Sequence, residues 1–278
     1  MIPYRTLPTI DVGPIPFRTF GLLVALGVFV AFAIVGDLAR RHRLDEIEVR
    51  RLAVRLVIAG VIGARVAYVV SDWRAMVARP WKVVALWEGG LQFFGGFVAA
   101  VIVLLVWLRR HPEVPRRRLG DVLAVGLAGG MAIGRLGCVA VGEHLGASTD
   151  RWWGARFLGG STVEPLSMGD VVLLPALYEA LLLAVFALVA RPIVARGVVP
   201  AGRVLGGFLA TYGVTRFLLD TLRVNDDRLL GLTAAQLASG TVAAAGLVIL
   251  LRTRSAQLDP AESPPRGATQ PVSSADHH

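Results

Sequence analysis

The chain has a single cysteine, Cys138, and a single lysine, Lys82, in 278 residues. A lone cysteine has no partner within the chain, which excludes a small secreted domain held by disulfides. Charge is also scarce. Charged residues make up 18% of the sequence, against about 25% in an ordinary soluble domain. Apolar residues instead reach 55%, and the mean hydropathy is +0.62. Disorder is excluded for the bulk of the chain, because it requires low hydrophobicity. A soluble fold of this length could not bury so much apolar surface. An all-α polytopic membrane protein is the class that remains.

The net charge is +9, carried almost wholly by arginine. A soluble protein with that balance would suggest nucleic acid as a partner. No soluble basic domain exists here to carry such binding, so nucleic acid is excluded. Basic loops facing anionic headgroups account for the charge more simply.

About 20 apolar residues cross the hydrocarbon as a helix. Seven such spans are expected, near 17–38, 52–71, 90–108, 120–140, 169–190, 203–222 and 234–251. A re-entrant segment is expected at about 80–89. The first span is too long, and too poor in a cleavage site, for a removable signal peptide. No internal repeat supports an inverted-repeat transporter. Residues 1–254 form the expected membrane domain, with an outer loop region at 141–168. Residues 255–278, rich in Pro, Ser and Ala, read as a disordered tail.

Arginine placement sets the expected direction. The loops at 39–51 and 109–119, with the segments after the fifth and seventh spans, hold sixteen basic residues; the opposite side holds nine. The positive-inside rule then puts the N-terminus outside and the C-terminus in the cytoplasm. Trp152 and Trp153 suit the headgroup level of the outer side.

Four arginines fall inside spans: Arg55, Arg65, Arg135 and Arg216. An arginine at mid-membrane costs about 2.5–3.5 kcal/mol on insertion scales, so function or pairing is expected. Arg55 is near a helix start and can snorkel. Arg65 is deeper, and either pairs with a buried acid or meets a headgroup. Arg135 is flanked by Gly129, Gly130, Gly134 and Gly137, which permit close helix packing or the approach of a lipid headgroup. Arg216, Asp220 and Arg223 are spaced to share one helix face. That face ends at the same membrane boundary as Arg135. Guanidinium groups bind phosphate oxygens in a planar fork, and a phosphate at this depth belongs to a phospholipid.

Glu143, Glu179 and Glu88 could complete such a site or serve as counter-ions. His144 is the one histidine on the outer side; His42 and His111 fall in the opposite loops, and His277 and His278 in the tail. There is no HExxH or CxxC spacing, so no metal is expected. Cys138 lies on an apolar helix, where packing is the ordinary role of cysteine.

The stretch Gly134-Arg135-Leu136-Gly137-Cys138-Val139-Ala140-Val141-Gly142-Glu143-His144-Leu145-Gly146 resembles the signature of the prolipoprotein diacylglyceryl transferase family, approximately G-R-x-G-N-F-x-N-x-E-x-x-G. The run Thr149-Asp150-Arg151-Trp152-Trp153-Gly154 follows, as a T-D-x-x-W-G-like run does there. Trp87-Glu88-Gly89-Gly90-Leu91-Gln92-Phe93-Phe94-Gly95-Gly96 is similar to G-G-x-x-F-H-G-G. Pro175-Ala176-Leu177-Tyr178-Glu179 is similar to H-P-x-Q-L-Y-E, and Arg216-Phe217-Leu218-Leu219-Asp220-Thr221-Leu222-Arg223 to R-F-x-x-E-x-x-R. The resemblance covers nearly all the chain except the tail.

The resemblance implies a multi-pass protein of the bacterial cytoplasmic (inner) membrane. It implies transfer of the diacylglyceryl group of phosphatidylglycerol to the lipobox cysteine of a prolipoprotein signal peptide. A thioether forms and glycerol phosphate leaves, with no cofactor. Arg135, Arg216 and Glu143 are then the expected catalytic residues. Arg65, Arg135, Gly137, Cys138, Gly146, Arg216 and Arg223 are the expected substrate-binding ones. The departures are specific: the pattern's histidines stand here as Phe94 and Leu174, its asparagines as Cys138 and Val141, and a tyrosine of the first span as Phe20. The thiol could be activated by the arginines alone or by His144; the chain could also be a non-catalytic phospholipid-binding relative.

Overall fold

The structure is a computed structural model that describes residues 1–12, 15–85, 90–163, 165–222, 228–229 and 231–258. Seven long helices account for most of it: α1 (Thr19–Arg41), α2 (Glu46–Ser71), α4 (Phe93–Arg110), α5 (Arg116–Val141), α6 (Pro175–Arg196), α7 (Arg203–Asp220) and α8 (Ala234–Leu258). A short helix, α3 (Trp73–Ala78), and a 3-10 turn at Pro80–Val83 lie between α2 and α4. Six of the long helices are long and apolar enough to cross a membrane. The seventh, α7, carries Arg203, Arg216 and Asp220 within its 18 residues. The chain is a multi-pass helical membrane protein.

Helix ends follow local chemistry. Asp45 caps α2, accepting hydrogen bonds from the Ile47 and Glu48 backbone N–H groups at 2.9 and 3.1 Å. Gly142 ends α5 in the left-handed conformation, φ +66°. The fifth span starts at Pro175 rather than near 169. Val171–Val172 instead form strand β5, and proline is suited to the first turn of a helix. Of the re-entrant segment expected at about 80–89, residues 80–85 form the 3-10 turn and its exit, and residues 86–89 lie outside the described residues. α8 continues to Leu258, past the start expected for the tail; residues 259–278 also lie outside them.

The best-packed core sits at one end of the bundle. Leu38, Val49, Leu52, Trp107, Leu119 and Val194 cluster there, between the loops at 42–45, 111–115 and 197–202. His42 belongs to this end and contacts the Val194 carbonyl oxygen at 2.7 Å. Asp121 reinforces it, accepting from the backbone N–H groups of Gly202 and Leu205 at 2.7 and 2.8 Å. Such fully satisfied buried carboxylates hold loops in register.

The opposite end carries a small cap. Strands β1 (Ile2–Tyr4), β4 (Ala155–Phe157) and β5 form a sheet in the order β1-β4-β5, with β1 parallel to β4. Two-stranded pairs at Thr9–Val12 with Ile15–Arg18, and at Arg228–Leu229 with Leu232–Thr233, complete it. Tyr4, Leu145, Phe157, Val172 and Leu174 make the apolar centre of the cap. The Tyr4 hydroxyl donates to the Val139 carbonyl at 2.7 Å, tying the cap to α5.

Small residues set the helix crossings. A Cβ on Gly27 of α1 would come 2.5 Å from the Gly130 carbonyl oxygen of α5, so these backbones touch directly. α2 packs along α4, α7 along α8, and α5 against both α1 and α6. Among the described residues, and beyond the common core, α2 and α4 pack closely on each other rather than on α5, α6 or α7.

Candidate active site

Arg135 lies on the last two turns of α5, Arg216 on the last turns of α7 and Glu179 on the second turn of α6. All three therefore meet at the capped end. Arg135 Nη2 is 3.0 Å from Glu179 Oε1, and Arg216 Nη1 is 3.2 Å from Glu179 Oε2. One carboxylate thus bridges two guanidinium groups, an oxygen to each. The Arg216 contact is a hydrogen bond; the Arg135 contact is an ion pair without hydrogen-bond alignment. Arg216 Nη2 also lies 3.9 Å from Asp220 Oδ1, and the Thr233 hydroxyl donates to the other Asp220 oxygen.

Burial makes this arrangement stringent. The Glu179 side chain is 1% exposed, Arg216 14% and Arg135 17%. Two arginines side by side in a dry setting repel strongly, and Glu179 is what permits them to converge. The guanidinium edges left partly open retain N–H donors, since each group has five. Tyr212 and Cys138 flank Arg135. A small recess lies between α6 and α7, lined by Glu179, Leu183, Phe186, Phe208 and Tyr212.

The glycines around Arg135 divide into two kinds. Gly130 packs on α1, Gly129 faces Ile34 of α1, and a Cβ on Gly137 would meet the Phe20 ring at 3.1 Å. Gly134 is different: a Cβ there would meet nothing within 4 Å. Helix packing explains the first three. It does not explain Gly134, which leaves open space next to Arg135.

The structure sorts the other expected residues. Arg65 is 8% exposed and turned to the segment after α3. It donates to the carbonyls of Val83 at 3.0 Å, Gly90 at 2.9 Å and Ala85 at 3.2 Å, and also to that of Lys82. Its guanidinium carbon lies 5.2 Å from the Tyr68 ring centre. Arg65 thus staples one backbone segment, apart from the Arg135–Arg216 pair. Gly146 is closed in by Leu173 and Leu222 backbone atoms, and its N–H donates to the Leu173 carbonyl at 2.9 Å. Cys138 is buried. Arg223 and Glu88 lie outside the described residues.

Of the acids considered from sequence, Glu179 is the one that joins the arginines. Its position in the Leu-Tyr-Glu run marked it as a candidate, but no spacing rule connects it to residues 44 and 37 positions away. Glu143 belongs to a neighbouring group. Its Oε1 lies 3.9 Å from His144 Nε2, and a Glu143 oxygen, a His144 ring nitrogen and Cys138 Sγ all fall within 4.8 Å of one another. The Arg135 guanidinium beside Cys138 disfavours a resident divalent metal ion there. Phe94, at the start of α4, is 64% exposed, and Leu174 is buried in the cap.

Fold and site together define a multi-pass helical membrane protein with a paired-arginine site buried at one end. A family model for prolipoprotein diacylglyceryl transferase matches residues 8–252. Among curated relatives, the phosphatidylglycerol–prolipoprotein diacylglyceryl transferase of Geobacter sulfurreducens is 34% identical over 232 residues, covering 82% of this chain and 85% of the relative. That of Symbiobacterium thermophilum is 30% identical, covering 87% and 90%. That of Desulfotalea psychrophila is 29% identical, covering 88% and 94%. The chain belongs to the prolipoprotein diacylglyceryl transferase family.

Proposed function

We propose that this protein transfers the diacylglyceryl group of phosphatidylglycerol to the lipobox cysteine of a prolipoprotein, at the outer side of a bacterial cytoplasmic membrane. The observation that carries this reading is the convergence of Arg135 and Arg216 on buried Glu179. The reaction is a displacement at carbon. The thiol sulfur bonds to the terminal glyceryl carbon, the carbon–oxygen bond to phosphate breaks, and the electron pair leaves with glycerol phosphate. The main catalytic demand is to stabilise the charge that grows on the departing phosphate, as preorganised donors do.

Arg135 and Arg216 meet that demand with their partly open N–H edges, and Glu179 holds them in place. The space over Gly134 lets the headgroup reach the arginines. Among the described residues the α2–α4 pair is not closely packed on α5–α7 outside the common core, which suits entry of a lipid from the side. Arg65 supports the site indirectly, by holding the backbone at Lys82–Ala85 and at Gly90. Gly137 and Gly146 shape the backbone, and Glu143 acts from the solvent side. The membrane domain, expected to end at residue 254, extends with α8 to Leu258, and the residues after it are assigned to a cytoplasmic tail.

The test is transfer of labelled diacylglyceryl from phosphatidylglycerol vesicles to a lipobox peptide by the purified protein. Arg135→Ala is expected to lower the rate at least 100- to 1,000-fold, the size of loss seen for a single preorganised donor (on the order of 10²–10³). Failure of the wild-type protein on several lipobox peptides would overturn the reading. Phe94 and Leu174, which have no proton acceptor where the resembled motifs have histidine, favour a second reading: a phospholipid-binding relative without transfer. That protein would retain phosphatidylglycerol and transfer nothing, and Phe94→His would be expected to make transfer appear.

A further inference from the structure

We infer that His144, oriented by Glu143, is the base that removes the proton from the incoming thiol. The inference rests on the transferase reading above. A thiol has a reference pKa of about 8.5 and is mostly protonated at neutral pH, whereas the thiolate is the nucleophile. The arginines that hold the phosphate have no acceptor capacity. A separate group must take the proton.

The surroundings of Arg135 narrow the choice. Glu179 is committed to two guanidinium groups, and Asp220 to Arg216 and Thr233. Cys138 is an unsuitable go-between. A thioether formed on it would be stable, and the chain would be consumed after one turnover. Among the described residues around Arg135, Glu143 and His144 are the further candidates. Both are partly open, their side chains 37% and 31% exposed, so a peptide thiol arriving from outside the bundle can reach them.

The backbone adds an independent observation. Gly142 and His144 both take the left-handed conformation, at φ +66° and +63°. Among the described residues only Arg43 and His144 do so without being glycine. Such a backbone is disfavoured for a side chain with a Cβ, and residues held in it concentrate at functional sites. The two reversals bring the His144 ring back over the end of α5. There a ring nitrogen lies within 4.8 Å of Cys138 Sγ, and Cys138 itself flanks Arg135. Among the described residues, the charged and titratable groups facing the imidazole include Glu143, Cys138 and, beyond Cys138, Arg135.

The step balances simply. As sulfur attacks the glyceryl carbon, one His144 ring nitrogen accepts the thiol proton. The carbon–oxygen bond breaks towards the phosphate held by Arg135 and Arg216. Glu143 stabilises the imidazolium, which then returns its proton to water. The products are the thioether and glycerol phosphate.

The test compares two lipobox peptides, one with cysteine and one with selenocysteine, whose selenol is ionised at neutral pH and needs no base. Protein in phosphatidylglycerol vesicles is assayed with each. His144→Asn keeps a residue tolerant of the left-handed backbone. It is expected to slow transfer to the cysteine peptide about 100-fold or more and to leave the selenocysteine peptide within a few-fold of wild type. His144→Gly suits the same backbone and is expected to regain transfer when imidazole is added. Equal losses on both peptides, or a cysteine-peptide rate within twofold of wild type, overturn the role of His144. A wild-type protein that transfers to neither peptide overturns the transferase reading itself.

Discussion

Glu179 is the residue on which the site turns. Removing one partner of a buried ion pair leaves an uncompensated charge and costs about 3–5 kcal/mol. Glu179→Ala leaves two, so a loss of at least that size is expected, read as a lower unfolding temperature and loss of folded protein in detergent. Glu179→Gln, which keeps one acceptor oxygen, is expected to fold better but to transfer poorly. Gly134 provides the opposite case. Gly134→Ala is expected to stabilise α5 slightly, since glycine costs a helix about 1 kcal/mol relative to alanine. Gly134→Leu is expected to keep the unfolding temperature while reducing transfer at least tenfold, because its side chain occupies the space beside Arg135. A destabilised Gly134→Leu protein would show that the space is a packing feature instead. These distinctions were only partly legible in the sequence. Arg135 and Arg216 announce themselves because arginine is costly in apolar spans. The four glycines look alike until the neighbouring helices are in place.

Among the helices, the informative one is α7. Its charge density keeps it out of the group that composition alone marks as membrane-crossing, and the same charges form the site. Its partner α8 and the neighbouring α6 supply the surroundings in which Arg216 and Asp220 are tolerated. The expected boundaries fall within three residues at both ends of the first, third and sixth spans, but the second, expected from 52, starts at Glu46 after its Asp45 cap. They failed at the fifth span, where apolar Val171 and Val172 read as helix but pair with the strand at Ala155–Phe157. A short apolar run does not distinguish strand from helix. Arg65 gives the element-level prediction. Arg65→Ala releases, among the described residues, the contacts to the Lys82, Val83, Ala85 and Gly90 carbonyls. It is expected to raise amide exchange and protease cleavage around Lys82–Ala85, and to leave the unfolding temperature of the α5–α7 region little changed. Lysine, a point donor rather than a planar fork, is expected to restore only part of the protection.

Across the whole protein the two ends differ in kind. One has a continuous apolar core and a dense surface network in which Asp37 pairs with Arg41 and Arg191 at 3.2 and 3.0 Å. The other has the capped site and the exposed Trp152. Basic loops at the first end imply that it faces the cytoplasm. A reporter fused at the C-terminus is therefore expected to be active only in the cytoplasm. One placed in the loop at 158–163 is expected to be active only outside. The reverse result would put the site on the wrong side for secreted substrates. Class, span number and the identity of the charged intruders could be read from the sequence, because the membrane penalises polar groups residue by residue and that penalty is local. Which acid bridges the arginines, which glycine is left open and which carbonyls Arg65 holds could not be read this way. Those pairings join residues tens of positions apart, and only helix crossings set by close backbone contact bring them within hydrogen-bonding distance.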